Sequence, residues 1–587
     1  MVNAENLPSI DIGSASNRAR HTESLVVLVL LALTTLVYAI LFNRANVLSH
    51  SIGYNLYASE RVLEGAVPYR DFHTLYPPAI FYLNALLFKW FGISLHSALL
   101  GVMVFKVLTV LTIYLSGREI MPVVWAVLAA LLSLLWLRPN GPFKSVPMHY
   151  GALFLALAMY LLLRYENKKH LRYVFFAGIS LGLVALFKHN IGAYALTGTM
   201  ALLIFENIRL RRYITGWQNS QDDTEHREAV EPKLRYRRLW VLVAGFVAVV
   251  LPVLAYMQIN LALQPMIRTM LFGPGEFLLS RLAVPLSPVA PLVLLATLAG
   301  AAYASKGLRS HALLGVGLWV TLLLAIAGFL LFRSEADVNQ VIFYFPMLVL
   351  GLGFLLGIAG GPLVSGSKRR MLIVVIFATA ALMELFPRFA REQSIAAMPF
   401  ILLVLFYLLY VMSPVIGTFV GGKWQHRLAL AALPLAFTII EARLFFNTYF
   451  EDPFRFRAAT SVSTERGRGI YFPAATAAMI DHAVRYIQER VDIEANAFAQ
   501  SDAGTSLLFL ANRKNASNAQ FWIGVGVTPA ERAATLARID KSQTKLIITS
   551  DEVLAAEKYE PMRDYIERNF EQTVRFDDVL MLERRTK

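Results

Sequence analysis

No cysteine occurs anywhere in the 587 residues. This excludes a disulfide framework, a thiolate metal site and a thiol nucleophile. Charge is scarce as well: Asp, Glu, Lys and Arg make up 16% of the chain, where soluble proteins carry about a quarter. The deficit is not even. It falls in apolar runs such as residues 25–42, 239–259 and 312–332, each long enough to cross ~30 Å of hydrocarbon. An ordinary soluble enzyme is excluded.

The runs number about thirteen, near residues 25–42, 97–116, 122–137, 152–165, 173–187, 191–207, 239–259, 289–305, 312–332, 341–360, 371–387, 399–415 and 428–446. The fold class expected is an all-α polytopic membrane protein with a small C-terminal soluble α/β domain. The N-terminal tail, residues 1–24, is polar, carries Arg18 and Arg20 before the first run and lacks a small-residue cleavage site. It reads as an uncleaved, cytoplasmic signal anchor.

The net charge of +15 does not point to nucleic acid, because the Lys and Arg sit in short loops between apolar runs. Basic loops at 168–172, 209–238, 306–309, 368–370 and 423–427 share one side of the membrane if the short run 79–91 does not span it. Were that run a span, all five would move outside together, against the positive-inside rule. Its 13 residues are also below the ~17 that a span needs. The loop 43–96 therefore faces out, as does everything after residue 446. Trp90 and Trp424 fall near span ends, where indole rings anchor at the interface.

Residues 447–587 have ordinary composition, with helical periodicity at 473–490, 529–539 and 559–570 and strand-like runs at 544–549 and 579–583. Gly524-Val525-Gly526 is no nucleotide-binding glycine loop. There is no internal repeat.

The first outer loop holds the most informative polar residues. Its first half, with Leu56, Val62 and Leu63 set against Glu60, Arg61 and Glu64, predicts an amphipathic helix along the membrane interface. Gly65 and Pro68 end it, and Pro77-Pro78 breaks the backbone again before the next apolar helix. Between these breaks stands Asp71, flanked by Arg70 and His73. A carboxylate in a rigid surface loop can serve as a general base. Equally, Asp71 can pair with Arg70 or Arg61 and do no more than fix the loop.

The pattern Glu64-Gly65-x-x-Pro68-Tyr69-x-Asp71-Phe72, then Tyr76-Pro77-Pro78, then a helix ending Trp90-Phe91-Gly92, resembles the first outer loop of GT-C glycosyltransferases. These multi-span enzymes use polyprenyl-phosphate sugars and include the protein O-mannosyltransferases and aminoarabinose transferases. The resemblance implies a GT-C-like transmembrane domain over 25–446, with a catalytic loop at 43–96 and an extracytoplasmic α/β domain at 447–587. Many members carry an acid just after the first span. Here that stretch reads Ser51-Ile52-Gly53-Tyr54, so either Asp71 replaces that acid as the base or the chain is a diverged or inactive member.

The function implied is transfer of a sugar from a polyprenyl-phosphate donor to a lipid, glycan or protein acceptor outside a bacterial inner membrane. The leaving phosphate needs cations. Lys188 and His189, between two apolar runs, and Arg333 in a later outer loop are the candidates. Arg70, His73, Tyr76, Lys144, His149 and Asp337 are candidates for the substrate cavity. A divalent cation is an option, with Asp71, His73 and His149 as possible ligands, but no close ligand spacing supports one. Two rival classes remain open. One is a lipid or glycan transporter or flippase, which would show broken helices or mid-membrane acids. The other is a non-catalytic scaffold of the same architecture.

Overall fold

A computed structural model describes residues 14–42, 52–136, 146–218, 232–272, 346–355, 366–385, 396–419, 459–499, 502–516, 529–555 and 560–585. Among them, Leu95–Ile120, Pro147–Lys168 and Tyr236–Ile259 are long and apolar enough to cross a membrane. Shorter apolar helices accompany these, including Val123–Leu134, Leu171–Phe187 and Met398–Val411. The protein is thus helical and membrane-embedded, but the count of about thirteen spans is not reached among the described residues. The expected spans at 289–305, 312–332 and 428–446 lie outside them.

In chain order the helices are α1 (Ser14–Phe42), α2 (Ile52–Leu63), α3 (Ala79–Phe91), α4 (Leu95–Ile120), α5 (Val123–Trp136), α6 (Val146–Lys168), α7 (Leu171–Phe187), α8 (His189–Gln218), α9 (Pro232–Ile259), α10 (Leu263–Phe272), α11 (Pro346–Leu355), α12 (Gly366–Leu382) and α13 (Met398–Phe419). α4, α5, α6, α7, α12 and α13 share one apolar core. α7 and α9 cross with their backbones touching, since a Cβ at Gly178 would collide with the Leu242 carbonyl and one at Gly245 with the Phe175 carbonyl. Small residues permit such close crossings where lipid supplies no hydrophobic drive.

Polar contacts sort the helix ends onto two faces. On one face Arg164 reaches Glu119 at 2.6 Å, and Glu166 takes both Lys169 at 2.7 Å and Arg369 at 3.1 Å. Arg370 also bonds Asn167. The basic loops around 168–172 and 368–370 therefore gather together with the end of α4. The opposite face carries α2, α3 and the C-terminal domain.

α3 is the short run that charge placement excluded as a span. Ile80, Phe81, Ala85 and Phe88 are buried, and the Phe88 ring stacks on Phe509 of the C-terminal domain at 6.0 Å. Ser94 caps α4 by accepting the Ser97 N–H at 3.2 Å. Trp90 is 66% exposed, as an interfacial anchor requires. α2 differs from expectation. Instead of lying on lipid it is sandwiched, with Tyr54, Leu56, Tyr57 and Ala58 buried in a core shared with the C-terminal domain.

That domain is an α/β unit. A two-stranded antiparallel ribbon, β1 (Ala459–Ser461) and β2 (Tyr471–Pro473), leads into α14 (Ala474–Arg490). The five-stranded sheet follows, with β3 (Asn496–Ala499), β4 (Lys514–Asn515), β5 (Leu546–Thr549), β6 (Phe570–Phe576) and β7 (Val579–Arg584) in the order β4-β3-β5-β7-β6. β3 runs parallel to β4 and β5, whereas β7 pairs antiparallel with β5 and β6. α15 (Asp502–Ala511) links β3 to β4, and α16 (Pro529–Lys541) precedes β5. The expected helices and the strands near 546 and 579 are present. β1, β2, β3, β4, β6 and α15 were not anticipated.

Candidate functional site

The loop between α2 and α3 is a tight, internally bonded structure. Gly65 ends α2, and the chain turns back through Tyr69, a non-glycine residue at φ 69°. Such backbone costs energy and persists only when its surroundings over-determine it. Here the Tyr69 N–H donates to the Phe72 carbonyl at 2.8 Å, and its hydroxyl donates to the Tyr76 carbonyl at 2.5 Å. The Tyr69 ring is packed among Val67, Met257, Ala262 and Met266, which seats the loop on α9 and α10. Burial pushes the Tyr69 phenol up. Tyr54 donates to the His73 carbonyl at 2.7 Å and so ties the far arm of the loop to α2.

Asp71 closes this turn. Its Oδ1 accepts from Arg70 Nε at 2.9 Å, and its Oδ2 accepts from Arg70 Nη2 at 2.7 Å and from the Val67 N–H at 2.7 Å. The hydrogen-bonded Arg70 guanidinium holds the Asp71 carboxyl below the ordinary carboxylate range, helped by the Val67 N–H. Asp71 and Arg70 remain 30% and 40% exposed. With Arg61, Glu64 and Ala66 they line a hollow of about 430 Å³. The Arg70 charge also faces Tyr82 and Tyr256, whose hydroxyls meet at 3.2 Å. The pairing of Asp71 with Arg70, left open by the sequence, is what the structure contains.

A second group lies below the loop. Lys188 stands at the corner between α7 and α8, and its Nζ meets Glu384 Oε1 at 2.9 Å. Burial opposes the Lys188 charge, but Glu384 and the Tyr76 phenol outweigh it and raise its pKa. The Tyr76 phenol is thus within electrostatic reach of Lys188, and His189, the next residue, opens α8. Among the described residues His189 Nδ1 and Asn190 Oδ1 are buried and meet no hydrogen-bond partner, which marks polar groups with hydrogen-bonding capacity to spare. Gly151 of α6 packs on Lys188, its position for a Cβ 3.8 Å from the Lys188 Cβ. Two residues earlier His149 is 4% exposed, feels the charge of Lys106 and has an Nδ1 with no partner among the described residues.

Of the residues singled out from the sequence, the structure pairs Asp71 with Arg70 and sets His189 next to Lys188 at the start of α8. Lys144, Arg333 and Asp337 lie outside the described residues. Among the described residues no three His, Asp or Glu side chains gather as a metal site, so Asp71, His73 and His149 do not converge on a cation. Two residues were missed. Glu384 was legible as an ionisable group near a span end, but nothing in the sequence joined it to Lys188. Lys106, a lone Lys inside an apolar run and 5% exposed, carried the ordinary signal of an intramembrane functional residue.

Comparison with known proteins adds a family match over part of the chain and several similar solved structures. Residues 76–216 match the family model described as dolichyl-phosphate-mannose-protein mannosyltransferase. Among solved structures, the Archaeoglobus fulgidus oligosaccharyltransferase tethered with an acceptor peptide is 14% identical, at a TM-score of 0.49 over 94% of this chain and 72% of that one. ArnT from Cupriavidus metallidurans bound to undecaprenyl phosphate is 12% identical, at 0.45 over 96% and 98%. No curated protein matches the chain.

Proposed function

We propose that the protein is an integral membrane glycosyltransferase that moves a sugar from a polyprenyl-phosphate donor to a lipid, glycan or protein acceptor on the outer face of the membrane. The observation that carries this reading is the extent of the family match, residues 76–216. It begins at Tyr76, where the Asp71 loop ends, and extends past the Lys188 corner. One matched segment thus touches both the lip and the floor of the candidate site. The face with basic loops is then cytoplasmic, and the α/β domain lies outside, in a bacterial inner membrane.

In the reaction the acceptor O–H gives its proton to a base while its oxygen bonds the anomeric carbon. The anomeric C–O bond breaks, and its electrons stay on the lipid phosphate. Lys188 and His189 meet that phosphate, joined by Arg333 from a later loop. His73, Tyr76, Lys144, His149 and Asp337 shape the cavity. Asp71 is the base. It is saturated by Arg70, so it must be released first. Arg70 is the more exposed partner, and its planar fork suits a phosphate as well as a carboxylate. A donor phosphate that draws Arg70 away frees Asp71 and raises its basicity.

The saturation of Asp71 also favours a second reading, in which Asp71 is only a loop clasp and the base is another group. Purified wild type and Asp71→Asn, given radiolabelled polyprenyl-phosphate sugars and a membrane-lipid extract, separate the two. Loss of transfer in a folded Asp71→Asn protein supports the base. Undiminished transfer leaves the clasp, and no transfer by wild type with any donor counts against the enzyme class.

A further inference from the structure

Glu60 and Arg466 come from opposite ends of the chain and meet in the protein interior. Arg466 Nη2 donates to Glu60 Oε1 at 2.6 Å and Nη1 to Glu60 Oε2 at 2.8 Å, a two-point contact with side chains only 12% and 11% exposed. The guanidinium is itself fixed. It donates to the Phe509 carbonyl at 2.9 Å and to Asn512 Oδ1 at 2.6 Å, and it lies 5.2 Å over the Phe509 ring. Phe509 in turn stacks on Phe88 of α3.

Two more contacts hold the same helix. The Asn515 N–H of β4 donates to the Tyr57 hydroxyl at 2.8 Å. At the start of α2, Gly53 lies against the backbone of Ser506 in α15, so closely that a Cβ would overlap it. The placement in the sheet is informative. From β3 the chain passes through α15 to β4 on one side and then to β5 on the other, so β3 is the switch point at which open α/β sheets receive ligands. Here α2 docks against α15 and β4, the elements that follow β3.

We infer that Arg466 is a positioning residue for the transfer site: through Glu60 it holds α2, and with it the loop that carries Asp71. The α/β domain is then part of the site's framework and not a separate acceptor-recruiting module. This rests on the transferase reading. α2 leads through Arg61 and Glu64, which line the hollow, into the Val67–Asp71 turn. A shift of α2 displaces every one of these groups, and a misplacement of about 1 Å costs on the order of 100-fold in rate.

The test uses the full-length chain, whose lack of cysteine allows clean spin labelling. Labels at Leu63→Cys and Ile493→Cys, both exposed sites, report the distance distribution between α2 and the α/β domain. Transfer assays run in parallel on Arg466→Met, Arg466→Lys and the charge-swapped Glu60→Arg/Arg466→Glu protein, all without labels. The expected result is a broadened distribution and a kcat at least 10-fold lower in Arg466→Met, with KM for the lipid donor changed less than 3-fold. The swapped pair restores the ion pair but not the bonds to Phe509 and Asn512, so it recovers the narrow distribution and kcat in part. Arg466→Lys falls between, because it keeps the charge and loses the two-point contact. An unchanged distribution in Arg466→Met, or a broadened one with undiminished kcat, overturns the proposal. If the wild type transfers no sugar, the transferase reading fails and takes the catalytic half of this inference with it. The distance distribution still decides whether Arg466 holds α2.

Discussion

Lys188 Nζ lies 2.9 Å from Glu384 Oε1, joining the corner between α7 and α8 to the turn that follows α12. The pair is mostly buried, with side chains 22% and 9% exposed, so each charge depends on the other. Removing one partner of such a pair costs about 3–5 kcal/mol, because the survivor stays buried and uncompensated. Lys188→Met and Glu384→Gln should each lower the unfolding midpoint in detergent. The double Lys188→Met/Glu384→Met protein should regain most of that stability and still fail to bind a polyprenyl-phosphate donor. Full donor binding by the double variant would remove Lys188 from the phosphate site.

The Asp71–Arg70 contact makes a pH prediction whose sign is fixed. The Asp71 carboxyl is held below its ordinary value of about 4. Its contribution to the loop is therefore present above that value and is lost only as pH falls through the lowered one. Between pH 8 and 5 the titration of Asp71 should leave transfer unchanged. In Arg70→Met the carboxyl returns toward the ordinary range, and the acid limb of the kcat/KM profile, which reports the free enzyme, should move up. A limb that stays in place would mean that Asp71 is not the titrating base.

Tyr69 offers a test of the loop itself. Tyr69→Phe keeps the ring against Met257 and Met266 but removes the hydrogen bond to the Tyr76 carbonyl. A lost bond of this kind costs about 1 kcal/mol. Thermal unfolding should register a small decrease, and transfer should fall further than stability does because the Tyr76 phenol acts electrostatically on Lys188.

The proposed sidedness can be read directly. Single cysteines at Lys169 and at Ile493, introduced into this cysteine-free chain, should react from opposite sides with an impermeant maleimide in oriented membrane vesicles. Ile493 should label from outside intact cells and Lys169 only after the membrane is opened. Both reacting from one side would overturn the assigned orientation.

Much of this was legible in the sequence because its causes are local. Pro77-Pro78 and a run too short to span set α3 apart, and charge placement put the loop and the C-terminal domain on one side. Asp71 and Lys188 stood out as ionisable groups next to apolar runs. What was not legible depends on contacts between distant segments. Glu60 reads as the solvent face of an amphipathic helix, yet it turns inward because Arg466 supplies its countercharge. β3 is four residues long and α15 ten, too short for periodicity to reveal. The Lys188–Glu384 pair needs the helix packing to bring its halves together.

The most direct test of the central claim is a single-turnover assay for polyprenyl phosphate released from a radiolabelled lipid-sugar donor by the purified protein. The account predicts release in step with sugar appearing on acceptor, and a loss of about 100-fold or more in folded Asp71→Asn. Donor that crosses the bilayer with its sugar–phosphate bond intact would contradict it and make the protein a transporter.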